Sequence, residues 1–83
     1  YDQVLNTLIL NNLTDKSYQN EIHQIVENYI RLVDWSQKES VVGEMRSAIK
    51  RYIMSKSKDM AVAITDSNKI VEDLLKYNSD III

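Results

Sequence analysis

The stretch YQNEIHQIVENYIRLVDWSQKES, residues 18–40, decides how the chain reads. Its first part places Tyr18, Ile22, Ile25, Val26, Tyr29, Ile30 and Val33 three or four positions apart, with charged residues between them. That spacing lays one apolar stripe along a helix and predicts a single buried face. The stripe runs into Asp34 and Trp35, the only tryptophan, and then into Ser36 and Glu39 at the S-x-x-E spacing of a capping box. In such a box the serine oxygen accepts from the backbone N–H three residues on, and the glutamate reaches back to the N–H of the serine. A cap of this kind contributes about 0.5–2 kcal/mol. Trp35 stands immediately before the cap, where an apolar side chain can staple the new first turn, with Val41 as its partner. The prediction is a sharp junction between two helices, with Trp35 as the core anchor.

Working outward, Val4, Leu5, Leu8, Ile9 and Leu13 repeat the helical spacing, with Asn11 and Asn12 as terminators. Asp15 is placed to cap the second helix. Beyond the junction, a third helix is predicted over 37–55 with Val41, Met45, Ala48, Ile49, Tyr52 and Ile53 inward. The polar run SKSKD, residues 55–59, breaks it. A fourth segment over 60–77 turns Met60, Ile64, Ile70, Val71, Leu74 and Leu75 inward. Thr65, Asp66, Ser67 and Asn68 prefer caps to helix interiors, so Asp66 is a candidate restart within that segment. Ile81, Ile82 and Ile83 are too apolar for a free tail and are predicted to touch something or to open a further element. The fold class is therefore all-α: a small bundle of four amphipathic helices, or five if Asp66 divides the last.

The composition agrees. Proline and cysteine are absent and Gly43 is the only glycine, whereas sheets and loop-rich folds use glycine and proline as punctuation. At 83 residues the chain is one small domain, 1–83, with neither disulfide nor thiolate metal site to reinforce it. No apolar run approaches a membrane span and no signal-peptide profile is present, so the expectation is a soluble, cytoplasmic chain without a membrane partner. The first residue is Tyr1 rather than methionine, which leads us to expect a piece of a longer protein.

Few residues suggest chemistry. His23 is the only histidine and has no neighbour at metal-ligand spacing, which makes it a boundary histidine rather than a base or ligand. Glu21 and Glu27 fall on different sides of their helix and are not a paired-carboxylate site. A Gly-rich phosphate loop is excluded by the single glycine. The sequence offers no catalytic, cofactor-binding or metal site, and the expectation for this segment is a non-enzymatic one.

Charge is distributed unevenly. Residues 36–58 carry Lys38, Arg46, Lys50, Arg51, Lys56 and Lys58 against Glu39 and Glu44, a balance of +4 in a chain of net charge −2. The flanking thirds are acidic. Two readings follow. In one, the charges complement helix dipoles and pair with acidic neighbouring helices, at about 0.2–0.5 kcal/mol per contact. In the other, Lys38, Arg46 and Lys50, with Arg51 beside them, form a docking face for phosphate or an acidic partner.

The segment DWSQKESVVGEMRSAIKRYIMSKS, residues 34–57, resembles the C-terminal helical region of the restriction (motor) subunit of type I restriction-modification enzymes. Asp34, Trp35, Ser36, Glu39, Met45, Arg46, Ile49, Lys50 and Arg51 fall on that family's pattern, and the likeness extends over roughly residues 18–77. One departure is the SKSKD turn, where many members carry a Gly-Tyr-Pro-Pro-type turn. The resemblance implies a parent chain with a nuclease domain and two RecA-like motor domains, an ATP-dependent site-specific deoxyribonuclease that uses ATP and Mg2+ and translocates DNA. None of those motifs lies in this chain. What it implies for the present domain is assembly: docking the motor onto the methyltransferase core of modification and specificity subunits, with DNA reached through the parent complex. The alternative is a helical module that contacts nucleic-acid phosphates directly through the basic helix, 37–58. The plainest alternative is a terminal bundle that only stabilises its parent. The net charge of −2 weighs against autonomous DNA binding, which favours strongly basic domains.

Overall fold

The computed structural model describes the backbone of residues 2–32 and 34–82 and the side chains of residues 3–32 and 34–77. Four helices follow one another: α1 (Asp2–Asn12), α2 (Gln19–Ile30), α3 (Glu39–Ser57) and α4 (Met60–Ile82). Single 3-10 turns, Lys16–Tyr18 and Trp35–Gln37, precede α2 and α3. Each helix packs on its neighbour in sequence, and α1 packs on α4, so the four close into a ring around one core. Among the described residues there is no strand. The fold is the all-α small bundle that the apolar spacing predicts.

The core is built from the helical stripes. Leu5 and Ile9 of α1, Ile22 and Val26 of α2, and Met45, Ile49 and Ile53 of α3 recur every fourth residue and are buried. From α4 come Ala63, Ile70, Val71 and Leu74. Burial of such side chains contributes roughly 1.5–3 kcal/mol each before the entropy cost of ordering them.

The junction before α3 differs from the predicted capping box. Asp34 adopts a left-handed conformation (φ 62°, ψ 26°), which reverses the chain. Aspartate tolerates that region better than most residues. Trp35 then turns into the core, 7% exposed, as the anchor it was predicted to be. Ser36 lies inside the 3-10 turn, and the N-cap of α3 is Lys38, with extended backbone and no side-chain cap bond. Glu39 is thus the first residue of the helix rather than its third. Its charge still faces the positive end of the helix dipole.

The break between α3 and α4 is shorter than the predicted polar run. Lys58 takes a left-handed conformation (φ 59°) and donates its N–H to the Met54 carbonyl at 2.9 Å. Asp59 then caps α4, its Oδ1 accepting from the N–H groups of Ala61 and Val62 at 3.0 and 3.3 Å. Two residues suffice to turn the chain back on itself. Asp15 likewise accepts from the Ser17 N–H, but it caps the 3-10 turn and not α2 itself.

Asp66 does not restart a helix. α4 runs unbroken through Thr65, Asp66, Ser67 and Asn68, and both Asp66 and Ser67 are buried. The Asp66 carboxylate turns across to the loop after α1, where it accepts from the Thr14 N–H and the Thr14 hydroxyl. Ser67 Oγ donates back to the Ile64 carbonyl at 3.1 Å. The inward side of α4 is set by Ala63, Ser67, Ile70 and Leu74. Ile64 is rotated by about 100° from Ala63, and Met60 occupies the first position of the helix. Both predicted core residues are consequently exposed, at 42% and 51%. Val33 and the side chains of Ile81, Ile82 and Ile83 lie outside the described residues.

Candidate docking face

Lys38, Arg46, Lys50 and Arg51 are positioned by α3, whose orientation is fixed by the buried row Met45, Ile49 and Ile53. Arg46 and Lys50 follow Met45 and Ile49 by one residue each, so they stand together at the edge of the buried stripe, and both are half-buried. Arg51 is exposed and displaced around the helix, its Nε donating to the Ser47 carbonyl at 3.4 Å. Lys38 is exposed at the start of α3, two helical turns before Arg46. The structure therefore brings Arg46 and Lys50 together and leaves Lys38 and Arg51 as flanking charges.

The paired reading of the basic residues is not what the side chains do. Among the described residues, no lysine or arginine forms an ion pair with an aspartate or glutamate; the ion pair present joins His23 to Glu27 at 2.8 Å. Lys56 instead lies 5.7 Å from the centre of the Tyr52 ring, and Lys16 donates to the Leu10 carbonyl at the end of α1. The Arg46 side chain forms no ion pair among the described residues, and its Nε is buried without an acceptor there. A buried donor left unmet costs about 1–3 kcal/mol. Three residues earlier on the same side is Gly43, and a Cβ placed there would meet nothing within 4 Å. Glycine within a helix costs roughly 0.5–1 kcal/mol relative to alanine, with no close neighbour here to require it.

No protein-family model, curated protein or solved structure matches this chain.

Two further features lie on the described surface. An open groove of about 600 Å³ runs between α1 and α4, lined by Val4, Thr7, Leu8 and Asn11 on one side and Asp73, Lys76 and Tyr77 on the other. Asn12 Nδ2 donates to Asp73 Oδ2 at 2.7 Å nearby. The second is the surround of His23. Its Nδ1 contacts Asn6 Oδ1, which also accepts from Gln19 Nε2, while its Nε2 faces Glu27 Oε1. The histidine ties α1 to α2. Its partner Glu27 is four residues on, a spacing that carries side-chain contact along a helix. Among the described residues, no group of three or more His, Cys, Asp or Glu side chains is arranged to hold a metal.

Tyr18 and Tyr52 meet edge to face, with ring centres 5.8 Å apart and planes at 82°. Loss of solvent pushes both phenols above their ordinary value of 10.0, with the charge of Asp15 adding to the effect on Tyr18 and that of Glu21 to the effect on Tyr52. The Ser17 hydroxyl and N–H hold the Asp15 carboxyl below its usual value.

Proposed function

We propose that this chain is an assembly module that docks a type I restriction motor subunit onto its methyltransferase core through the basic side of α3. The observation that carries the docking surface is the absence of acidic partners for Lys38, Arg46, Lys50 and Arg51 among the described residues. Charges that are not used to hold a bundle together are available to hold a second molecule. The partner's identity rests on the resemblance of residues 34–57 to the family's C-terminal helical region. On this reading the chain performs no catalytic step of its own, and ATP and Mg2+ belong to the parent's motor domains. The modification and specificity subunits are the partners, and DNA is reached through the assembled complex. The proposed location is the cytoplasm; no described helix is long and apolar enough to cross a membrane.

Calorimetric titration of the chain against the purified modification–specificity complex, and separately against duplex DNA, tests the proposal. Docking predicts saturable binding to the complex that salt weakens, less steeply than it weakens contact with a run of phosphates. Tight binding to DNA alone, with log K falling steeply against log salt, would move the function to direct phosphate contact.

A further inference from the structure

We infer that the side of α3 carrying Gly43 and Arg46 receives an acidic helix of a protein partner, which crosses α3 at Gly43 and brings a carboxylate to the Arg46 guanidinium. This rests on the docking reading and specifies its geometry. Two features within one turn of α3 find no counterpart among the described residues. Gly43 weakens a helix that needs no room there, because no atom approaches the position of its missing Cβ. The Arg46 stem is packed, its Nε is buried, and no ion pair joins its guanidinium to a described carboxylate. Local departures of this kind gather where a chain is shaped for something other than its own folding.

The two departures point to one occupant. A position without a side chain lets another backbone come close, and the distance between helix axes depends on the side chains at their crossing. A guanidinium whose stem is already packed has lost most of its freedom, so it presents a fixed fork that matches a carboxylate. Lys50, four residues beyond Arg46, supplies a second positive charge along the same line, and residues 36–58 carry +4 overall. An acidic helix complements that balance. Nucleic acid fits less well, because a duplex carries one phosphate charge per roughly 1.7 Å of its axis and asks for a longer basic track than Arg46 and Lys50 supply.

The test is an amide chemical-shift titration of the isotope-labelled chain with a glutamate-rich amphipathic helical peptide, and in parallel with a short DNA duplex. Peptide shifts centred on Gly43, Arg46 and Lys50 are expected. Gly43→Leu and Arg46→Gln should each weaken peptide binding by about tenfold or more, as truncating an arginine anchor does. Gly43→Leu should melt no lower than the parent chain, so lost binding is not lost folding. Arg46→Lys should fail to restore affinity, since lysine keeps the charge and loses the fork. Shifts centred elsewhere, full binding by Gly43→Leu, or a duplex that binds this face more tightly than the peptide would each overturn the inference. A methyltransferase complex that binds Gly43→Leu as well as the parent chain removes this geometry and leaves the docking proposal standing. Peptide binding as described, with no affinity for that complex, removes the named partner and leaves the geometry.

Discussion

Thr14 and Asp66 are 52 positions apart in sequence, and the Asp66 carboxylate accepts from both the Thr14 N–H, at 2.9 Å, and the Thr14 hydroxyl, at 3.0 Å. The first bond meets a backbone donor in the loop that follows α1. A buried aspartate in the second turn of α4 therefore fixes where that loop crosses the bundle. Asp66→Ala should destabilise the fold by about 1.5–3 kcal/mol, the range for hydrogen bonds to a charged group. Thr14→Ser, which keeps the hydroxyl, should cost far less. Denaturant unfolding with matched slopes distinguishes these outcomes; equal stability of Asp66→Ala and the parent chain would mean water replaces the carboxylate at no cost.

Trp35→Ala is predicted to remove about 3–5 kcal/mol, as truncation of a buried aromatic does. In a domain of this size that approaches the whole stability. A loss below about 1 kcal/mol in the same unfolding assay would show that the indole contributes little to the core.

Lys58 pays for its left-handed conformation because it has a Cβ. Lys58→Gly should gain roughly 1 kcal/mol, while Asp34→Gly should gain less because aspartate already tolerates that region. Thermal melts of the two variants give the comparison; a lower Tm for Lys58→Gly would show that the lysine side chain contributes more than the strain removes.

The tyrosine pair sets an alkaline limit. Because folding raises both phenols above 10.0, the neutral forms favour the native state, and their contribution is fully present below pH 10. It is lost as pH rises from there through the folded values, since the unfolded chain ionises first. Tyr18→Phe combined with Tyr52→Phe should flatten stability against pH above about 10, measured by urea unfolding at each pH. A parent curve that is already flat there would contradict the predicted dependence.

What the sequence made legible was set by periodicity. Ile22 and Val26, or Met45, Ile49 and Ile53, repeat at the helix period and their burial needs no further knowledge. Periodicity fails at the ends of elements, where one residue's backbone conformation decides the register. Ser36 and Glu39 have the spacing of a capping box, but the left-handed turn at Asp34 and the 3-10 turn after it move the start of α3 to Glu39. Asp66 has the chemistry of a cap, and it uses that chemistry on a loop distant in sequence, which no local pattern reveals. Met60 and Ile64 are apolar yet exposed because Ala63, Ser67, Ile70 and Leu74 set the side of α4 that faces the core, and those two positions lie off it. Of the candidate site, the basic excess of residues 36–58 was readable directly. The burial of the Arg46 Nε and the open space at Gly43 depend on packing and were not.

On the proposed function, Arg46 and Lys50 serve binding more than folding. The most direct measurement compares the parent chain with Arg46→Gln combined with Lys50→Gln, by thermal melting and by titration against the modification–specificity complex. A melting change equivalent to less than about 1 kcal/mol is expected, because neither charge has an acidic partner to lose among the described residues and glutamine keeps part of each packed stem, together with affinity reduced by about tenfold or more. Unchanged affinity accompanied by a large loss of stability would contradict it, and would assign both side chains to the bundle itself.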